Sequence, residues 1–141
     1  MRVALDTNIL LSALMVRGTA PGRLYEEWRH GSYDLVSSAL QLDELQRISS
    51  RQFFLGRIKP SEIGRMIHDI RRLAVMCVPK NSSTTPSAPG DEFLLALSVG
   101  AEADYLVTGD ESGLLSLKRH GGTLIVTARE MVAFLDVSIG A

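Results

Sequence analysis

A single cysteine in 141 residues excludes an internal disulfide framework and a cysteine-rich zinc site. That residue, Cys77, lies in the apolar run Ala74-Val75-Met76-Cys77-Val78, where a buried structural thiol is the expected state and a reactive one is not. The three histidines have no metal-type spacing, which argues against zinc of the histidine-rich kind. No apolar run reaches the roughly 20 residues that cross a bilayer, so no membrane association is expected. The opening Val3-Ala4-Leu5-Asp6 meets an acid after three apolar residues. It reads as a strand start and not as a signal peptide, which makes the cytoplasm the expected compartment. Charge of one sign is also missing. The net of −1 gives the whole molecule no strong pull on nucleic acid.

What is present is ordinary globular composition. With 45% hydrophobic and 22% charged residues, the chain is not disordered, and its length fits a single domain with one core, residues 1–141. Charge is unevenly spread. Residues 47–72 carry Arg47, Arg51, Arg57, Lys59, Arg65, Arg71 and Arg72 against Glu62 and Asp69, a local net of +5. Such a surface is able to bind phosphates, although the solvated face of ordinary helices explains it more simply.

Short apolar runs alternate with helical patterns. Val3-Ala4-Leu5, Tyr33 to Ser37, Val75 to Val78, Tyr105 to Thr108 and Leu124-Ile125-Val126 read as strands buried on both faces. Between them, Asp6 or Thr7 caps a helix that Gly18 ends, and Pro21 restarts one that stops at Gly31. Ser38 with Gln41 three residues on is a capping-box pattern, opening a helix with Leu42, Leu45 and Ile48 inward. Pro60 starts another, with Ile63, Met66, Ile67, Ile70 and Leu73 on one face. Residues 80–90, rich in Ser, Thr and Pro, read as a mobile surface loop within the domain. Asp91 then opens the helix Glu92 to Ala101. Gly121-Gly122 is a turn, and Thr127 with Glu130 is a second capping box, opening the helix Ala128 to Leu135. This alternation predicts βαβ units around a mainly parallel sheet.

Two acids directly follow strands, Asp6 and Asp110. In an open parallel sheet, ligands bind beyond the carboxyl ends of the strands, so these two are able to meet across a long sequence separation. Asp91 at a helix start and Glu44 about two turns past the Ser38 cap belong near the same edge. Four clustered carboxylates repel and raise some of their own pKa values, and such a cluster persists most naturally around a divalent cation. All-oxygen ligands suit Mg²⁺ or Mn²⁺, and a carboxylate-held Mg²⁺ fits phosphodiester hydrolysis. Each acid taken singly has a plainer explanation: Asp6 and Asp91 as helix caps, Glu44 as a helix-surface acid, Asp110 as a turn residue beside Gly109. Their joint placement is what favours a site.

Leu5-Asp6-Thr7-Asn8, then Ser38 with Glu44-Leu45, then Asp91 with Leu94-Leu95-Ala96, then Ala103-Asp104-Tyr105-Leu106-Val107-Thr108-Gly109-Asp110 together resemble the PIN-domain family, over residues 3 to about 135. The most specific pieces are the Asp-Thr-Asn opening and the Tyr-Leu-Val-Thr-Gly-Asp block. The chain looks most similar to the prokaryotic stand-alone set, the VapC-type ribonuclease toxins of toxin–antitoxin pairs. The resemblance implies a three-layer α/β/α sandwich, Mg²⁺- or Mn²⁺-dependent cleavage of single-stranded RNA, a homodimer, and a cognate antitoxin as partner. It implies Asp6, Glu44, Asp91 and Asp110 as catalytic metal ligands, with Asn8 and Thr108 as supporting polar residues. Arg47, Arg51 and Arg57 become candidate RNA contacts. One departure stands out. Related sequences often carry an acid-rich stretch before the third acid's helix, whereas here Ser87-Ala88-Pro89-Gly90-Asp91 supplies one acid before Glu92. Of the spare acids, Asp43 neighbours Glu44, and Asp104 begins a strand and should face away from the site.

Two other readings compete. A phosphatase-like or phosphoacceptor enzyme also has an acid after its first strand, but the Asp-x-Asp pattern fails at Asn8, and Lys118 lies past a loop and a short helix. Alternatively the domain binds nucleic acid or a protein with weak or no catalysis. His68 and His120 are explained by a surface helix and a loop. Tyr25, Trp28 and Phe53-Phe54 are able to stack bases, but core packing or a partner interface is the simpler use.

Overall fold

The computed structural model describes residues 1–78, 89–109 and 113–139, with 89–92 and 138–139 as backbone. Its elements run β1 (Arg2–Leu5), α1 (Thr7–Met15), α2 (Ala20–Arg29), β2 (Asp34–Ser37), α3 (Ala39–Ser49), α4 (Pro60–Leu73), β3 (Val75–Met76), α5 (Pro89–Gly100), β4 (Tyr105–Val107), α6 (Leu114–Leu117), β5 (Arg119–His120), β6 (Thr123–Val126) and α7 (Ala128–Ile139). The sheet order is β3-β2-β1-β4-β6-β5. All neighbours are parallel except β5 and β6. Helices cover both faces, so the fold is a three-layer α/β/α sandwich.

The strands show why. Side chains alternate across a sheet with a period of two, and each strand divides its residues between two cores. Val3, Leu5, Leu35, Val107 and Val126 pack with α1, α2, α3, α4 and α7. Ala4, Val36, Leu106 and Ile125 pack with Phe93, Leu94 and Leu97 of α5 and Leu114 of α6. Burial on both faces is what a parallel sheet requires.

The connections fix the site. From β1 the chain crosses over α1 and α2 to β2 on one side, then over α3 and α4 to β3. It returns through α5 to β4 on the other side of β1. A right-handed crossover in the reversed direction puts its helix on the opposite face. β1 and β4 therefore flank a topological switch point, and in open α/β sheets ligands bind beyond the carboxyl ends of the strands at such a point.

Several local expectations are refined. Asp6 is the residue that caps α1. Gly18 lies past the end of α1, which closes at Met15. Thr19 caps α2 by accepting from the Gly22 N–H, with proline in the first turn, and Gly31 follows the end of that helix at φ +84°. Leu73, expected inward, is half exposed, because it occupies the last turn of α4. The third strand is only two residues long, and Cys77 beyond it is partly buried. The sheet gains a strand the alternation pattern did not show: Arg119–His120 pairs antiparallel with β6 around Gly121-Gly122. Gly121 at φ +59° supplies the left-handed backbone such tight hairpins need. His120 is accordingly an exposed strand residue and not a loop one. α5 begins at Pro89, so Asp91 sits inside its first turn and does not cap it. The rest of the expected 80–90 loop lies outside the described residues. α7 runs past Leu135 to Ile139 and carries the full capping box: the Thr127 N–H donates to Glu130 Oε1, and the Glu130 N–H donates to Thr127 Oγ1, both at 3.1 Å.

Candidate active site at the switch point

Asp6 is held at the switch point by both neighbouring elements. Its backbone N–H still donates to the Val107 carbonyl at 2.9 Å, so the residue prolongs the β1–β4 ladder. Its carbonyl then accepts from the Ile9 and Leu10 N–H groups, which begins α1. The carboxylate is held at each oxygen. Oδ1 accepts from the Asn8 backbone N–H at 3.1 Å, and Oδ2 accepts from Thr108 Oγ1 at 2.8 Å. Thr108 is fully buried and is anchored in turn by its N–H to the Val126 carbonyl at 3.0 Å. The helix N-terminus further favours the negative charge of the cap.

Asn8 supports Asp6 through its main chain, while its side chain faces solvent. Thr7 is completely buried, and its hydroxyl has no hydrogen-bond partner among the described residues.

Glu44 lies on α3, which packs against α1. Its side chain is only 15% exposed, and among the described residues its ion pair is a 3.9 Å contact to Arg47 on the same helix. A pair at that distance to a mostly exposed arginine is weak. A carboxylate so withdrawn from water and so loosely paired fits a cation as its partner. The two described candidate donors, the Asp6 and Glu44 carboxylates, are oxygens, the hard set that Mg²⁺ and Mn²⁺ prefer. Asp6 and Glu44 are thus the described carboxylates whose surroundings suit a divalent metal, and both could serve as ligands.

The other two acids complete no cluster in the described residues. The backbone of Asp91 is in the first turn of α5, but its side chain lies outside the description, as does Asp110 entirely. Among the described residues no group of three or more potential ligands comes together. Asp43 is exposed. Asp104 accepts from the Arg2 N–H at 2.9 Å at the amino-terminal edge of the sheet, away from Asp6 as expected.

Sequence reasoning missed the residue behind the acids. Ser38 Oγ accepts from the Gln41 N–H at 3.3 Å, which is half of the expected capping box. The Gln41 side chain does not complete it. Nε2 donates to the Leu5 carbonyl and Oε1 accepts from Ser37 Oγ, each at 2.6 Å, and the residue is fully buried. The only signal in the sequence was the three-residue spacing from Ser38, which local capping already explained.

The remaining candidates sort by exposure. Arg47, Arg51 and Arg57 are exposed, and the Arg57 guanidinium lies 4.5 Å from the Phe53 ring centre. Trp28 and Phe54 belong to the core, whereas Phe53 is 58% exposed; a probe of any interface there belongs at Phe53 and not at Phe54. His68 is on the surface of α4. A separate cleft of about 760 Å³ between α1, α2 and α4 is walled by charged residues, including Arg29 and Asp69, which form an ion pair. Neither Asp6 nor Glu44 lines it.

The parallel sheet covered on both faces defines the class as an α/β/α domain, with an acid at the switch point bonded to a threonine just past the adjacent strand. Comparison with known families makes the assignment: a PIN-domain model matches residues 2–112, and the chain belongs to the PIN-domain family. PIN domains are generally nucleases and typically bind divalent metals. No curated protein matches the chain significantly. No helix among the described residues is long and apolar enough to cross a membrane.

Proposed function

We propose that this protein is a Mg²⁺- or Mn²⁺-dependent endoribonuclease that cleaves single-stranded RNA, acting as the toxin of a toxin–antitoxin pair. The observation that carries the nuclease reading is the Asp6 carboxylate, fixed at the switch point by the Thr108 hydroxyl and the Asn8 N–H. The loosely paired, largely withdrawn Glu44 supports it. Asp6 and Glu44, with Asp91 and Asp110, are the proposed metal ligands. These residues would hold the metal, which would supply water activation and charge neutralisation at the phosphate. The protein's part is to hold the carboxylates in place. Thr108 stops rotation of the Asp6 carboxylate, and the exposed Arg47, Arg51 and Arg57 attract the RNA backbone. The toxin role, its antitoxin partner and a homodimer rest on the likeness of the Asp6-Thr7-Asn8 and Tyr105-to-Asp110 segments to the VapC-type set.

The test has three stages. Mn²⁺ is titrated calorimetrically into wild type and Asp6→Ala; binding lost in the variant is expected, and no binding above the variant background refutes the nuclease reading. Wild type is then expected to cleave a mixed single-stranded RNA pool, with cleavage abolished in Asp6→Asn and Asp110→Asn. Metal binding without cleavage would favour an RNA- or protein-binding domain instead. For the toxin role, induced wild type should arrest bacterial growth and Asp6→Asn should not.

A further inference from the structure

The geometry points to Gln41 as a positioning residue that sets the spacing between Asp6 and Glu44, an inference that rests on the metal-site reading above. The strand register explains why such a residue is needed. β1 and β2 are last in register at Ala4 and Val36. One residue further on, the Leu5 carbonyl and the Ser37 hydroxyl lie past the last paired position, and both bond to Gln41. Ser37 spends its own carbonyl on the Cys77 N–H at 2.8 Å, so it pairs outward to the β3 side. The Gln41 amide bridges β1 and β2 on the other side. Its Nε2 takes the Leu5 carbonyl and its Oε1 takes the Ser37 hydroxyl, extending the ladder by one rung made of side chain.

The placement of that rung gives it its consequence. The Leu5 carbonyl belongs to the peptide leading into Asp6, so its orientation helps to aim the Asp6 side chain. Gln41 is three residues before Glu44 on α3, and residues at that spacing share a helix face. One buried side chain therefore joins the peptide that carries the first acid to the helix that carries the second. It is completely buried and bonded at both ends, and low surrounding polarity strengthens such bonds and penalises their loss. Gln41 touches neither acid's carboxylate; it acts through the backbone of one and the helix of the other. A glutamine kept only to cap α3 would have returned its side chain to the Ser38 N–H, as capping boxes do, and this one does not.

The experiment compares Gln41→Met, which keeps the side chain's length and removes its polar atoms, with Thr123→Val. The latter deletes another buried hydroxyl-to-carbonyl bond, Thr123 Oγ1 to the Ala103 carbonyl at 2.7 Å, at the opposite edge of the sheet. Melting temperature, Mn²⁺ affinity, and kcat and KM on RNA are measured for each. Supporting groups behind metal ligands typically control affinity or activity by roughly 10–100-fold. Gln41→Met is expected to lose Mn²⁺ affinity and kcat in that range with KM unchanged, while Thr123→Val loses stability alone. Wild-type affinity and kcat in folded Gln41→Met would overturn the proposal, as would equal losses in Thr123→Val. If Gln41→Met does not fold, Ser37→Ala, which frees one end of the rung, is read the same way with a smaller loss expected. If the wild type itself binds no Mn²⁺, the metal-site reading fails, and crystal structures of the metal-free wild type and variant decide this proposal separately. A change in Asp6-to-Glu44 Cβ separation of about 0.5 Å or more, the tolerance of working sites, supports it, and an unchanged separation overturns it.

Discussion

Three buried threonines offer a controlled series, because Thr→Val keeps shape and removes only the hydroxyl. Thr108, Thr123 and Thr7 are all 2% exposed or less, but their hydroxyls have different partners. Thr108 donates to a carboxylate at 2.8 Å, Thr123 donates to a neutral carbonyl at 2.7 Å, and Thr7 has no partner among the described residues. A hydrogen bond to a charged group contributes about 1.5–3 kcal/mol and a neutral one about 1 kcal/mol. Asp6 is partly exposed, so water recovers some of its loss, and the lower end of that range applies to Thr108. With about 2–4 °C per kcal/mol for a chain near this size, Thr108→Val should melt roughly 3–6 °C lower, and Thr123→Val roughly 2–4 °C lower. Thr7→Val should melt no lower than wild type, since it removes a buried hydroxyl that lacks compensation. Mn²⁺ titration then separates the sites. Thr108→Val should bind roughly 10–100-fold more weakly, and Thr123→Val should bind as wild type does. Differential scanning calorimetry and isothermal titration provide both columns. Equal Mn²⁺ affinity in Thr108→Val and Thr123→Val would refute the reasoning that the Thr108 hydroxyl serves the site.

Other perturbations test the scaffold. Burial pushes the Tyr33 hydroxyl pKa far above its usual value near 10, so above pH 10 the unfolded chain releases a proton that the folded one retains, and stability falls as pH rises. Tyr33→Phe should blunt this alkaline loss in urea melts while giving up about 1 kcal/mol at neutral pH for the bond to the Leu24 carbonyl; an unchanged alkaline slope would count against it. Thr127→Ala breaks the reciprocal cap of α7 and should reduce unfolding free energy by about 1 kcal/mol, with Mn²⁺ affinity intact. Phe53→Asp alters an exposed ring and should leave the melting temperature near wild type. It should lower the mass seen by light scattering if Phe53 lies in a homodimer interface, and an unchanged mass removes that face from the proposed dimer.

Much of the fold was legible because parallel strands and amphipathic helices write their burial into the sequence. Val3-Ala4-Leu5 and Leu124-Ile125-Val126 are apolar on both faces, and Leu42, Leu45 and Ile48 recur at helical spacing, all buried but the partly exposed Leu124. The antiparallel strand Arg119–His120 was not legible. It is two exposed residues long and is held by main-chain pairing, which leaves no side-chain pattern. Gln41 was hidden for a related reason. A polar residue three positions past a serine satisfies the rule for helix starts, and only the packing of α3 against β1 shows that its amide is directed elsewhere. The site was legible as far as Asp6, whose position after a strand is a sequence fact. The partner Thr108 came from the family likeness, since pairing across 102 residues leaves no local trace.

The plainest explanation of Asp6 was that it caps a helix, and it does cap one. That finding does not compete with a role in the site, because the two oxygens do different things. Oδ1 takes the Asn8 N–H in the manner of any cap, which fixes the side-chain torsion and sets which way the carboxylate plane faces. Oδ2 is thereby turned toward β4, where Thr108 receives it. A surface cap needs only the first bond and leaves its second oxygen to water. Here the second oxygen is committed to a buried hydroxyl just past β4, which contributes nothing to starting α1. Asn at this position would keep the cap, since it caps helices as well as Asp does, but it would lose the negative charge. Asp6→Asn therefore separates the two roles within one residue: helix and melting temperature close to wild type, Mn²⁺ binding and RNA cleavage gone. A variant that melted normally and still bound metal would leave Asp6 a cap and nothing more.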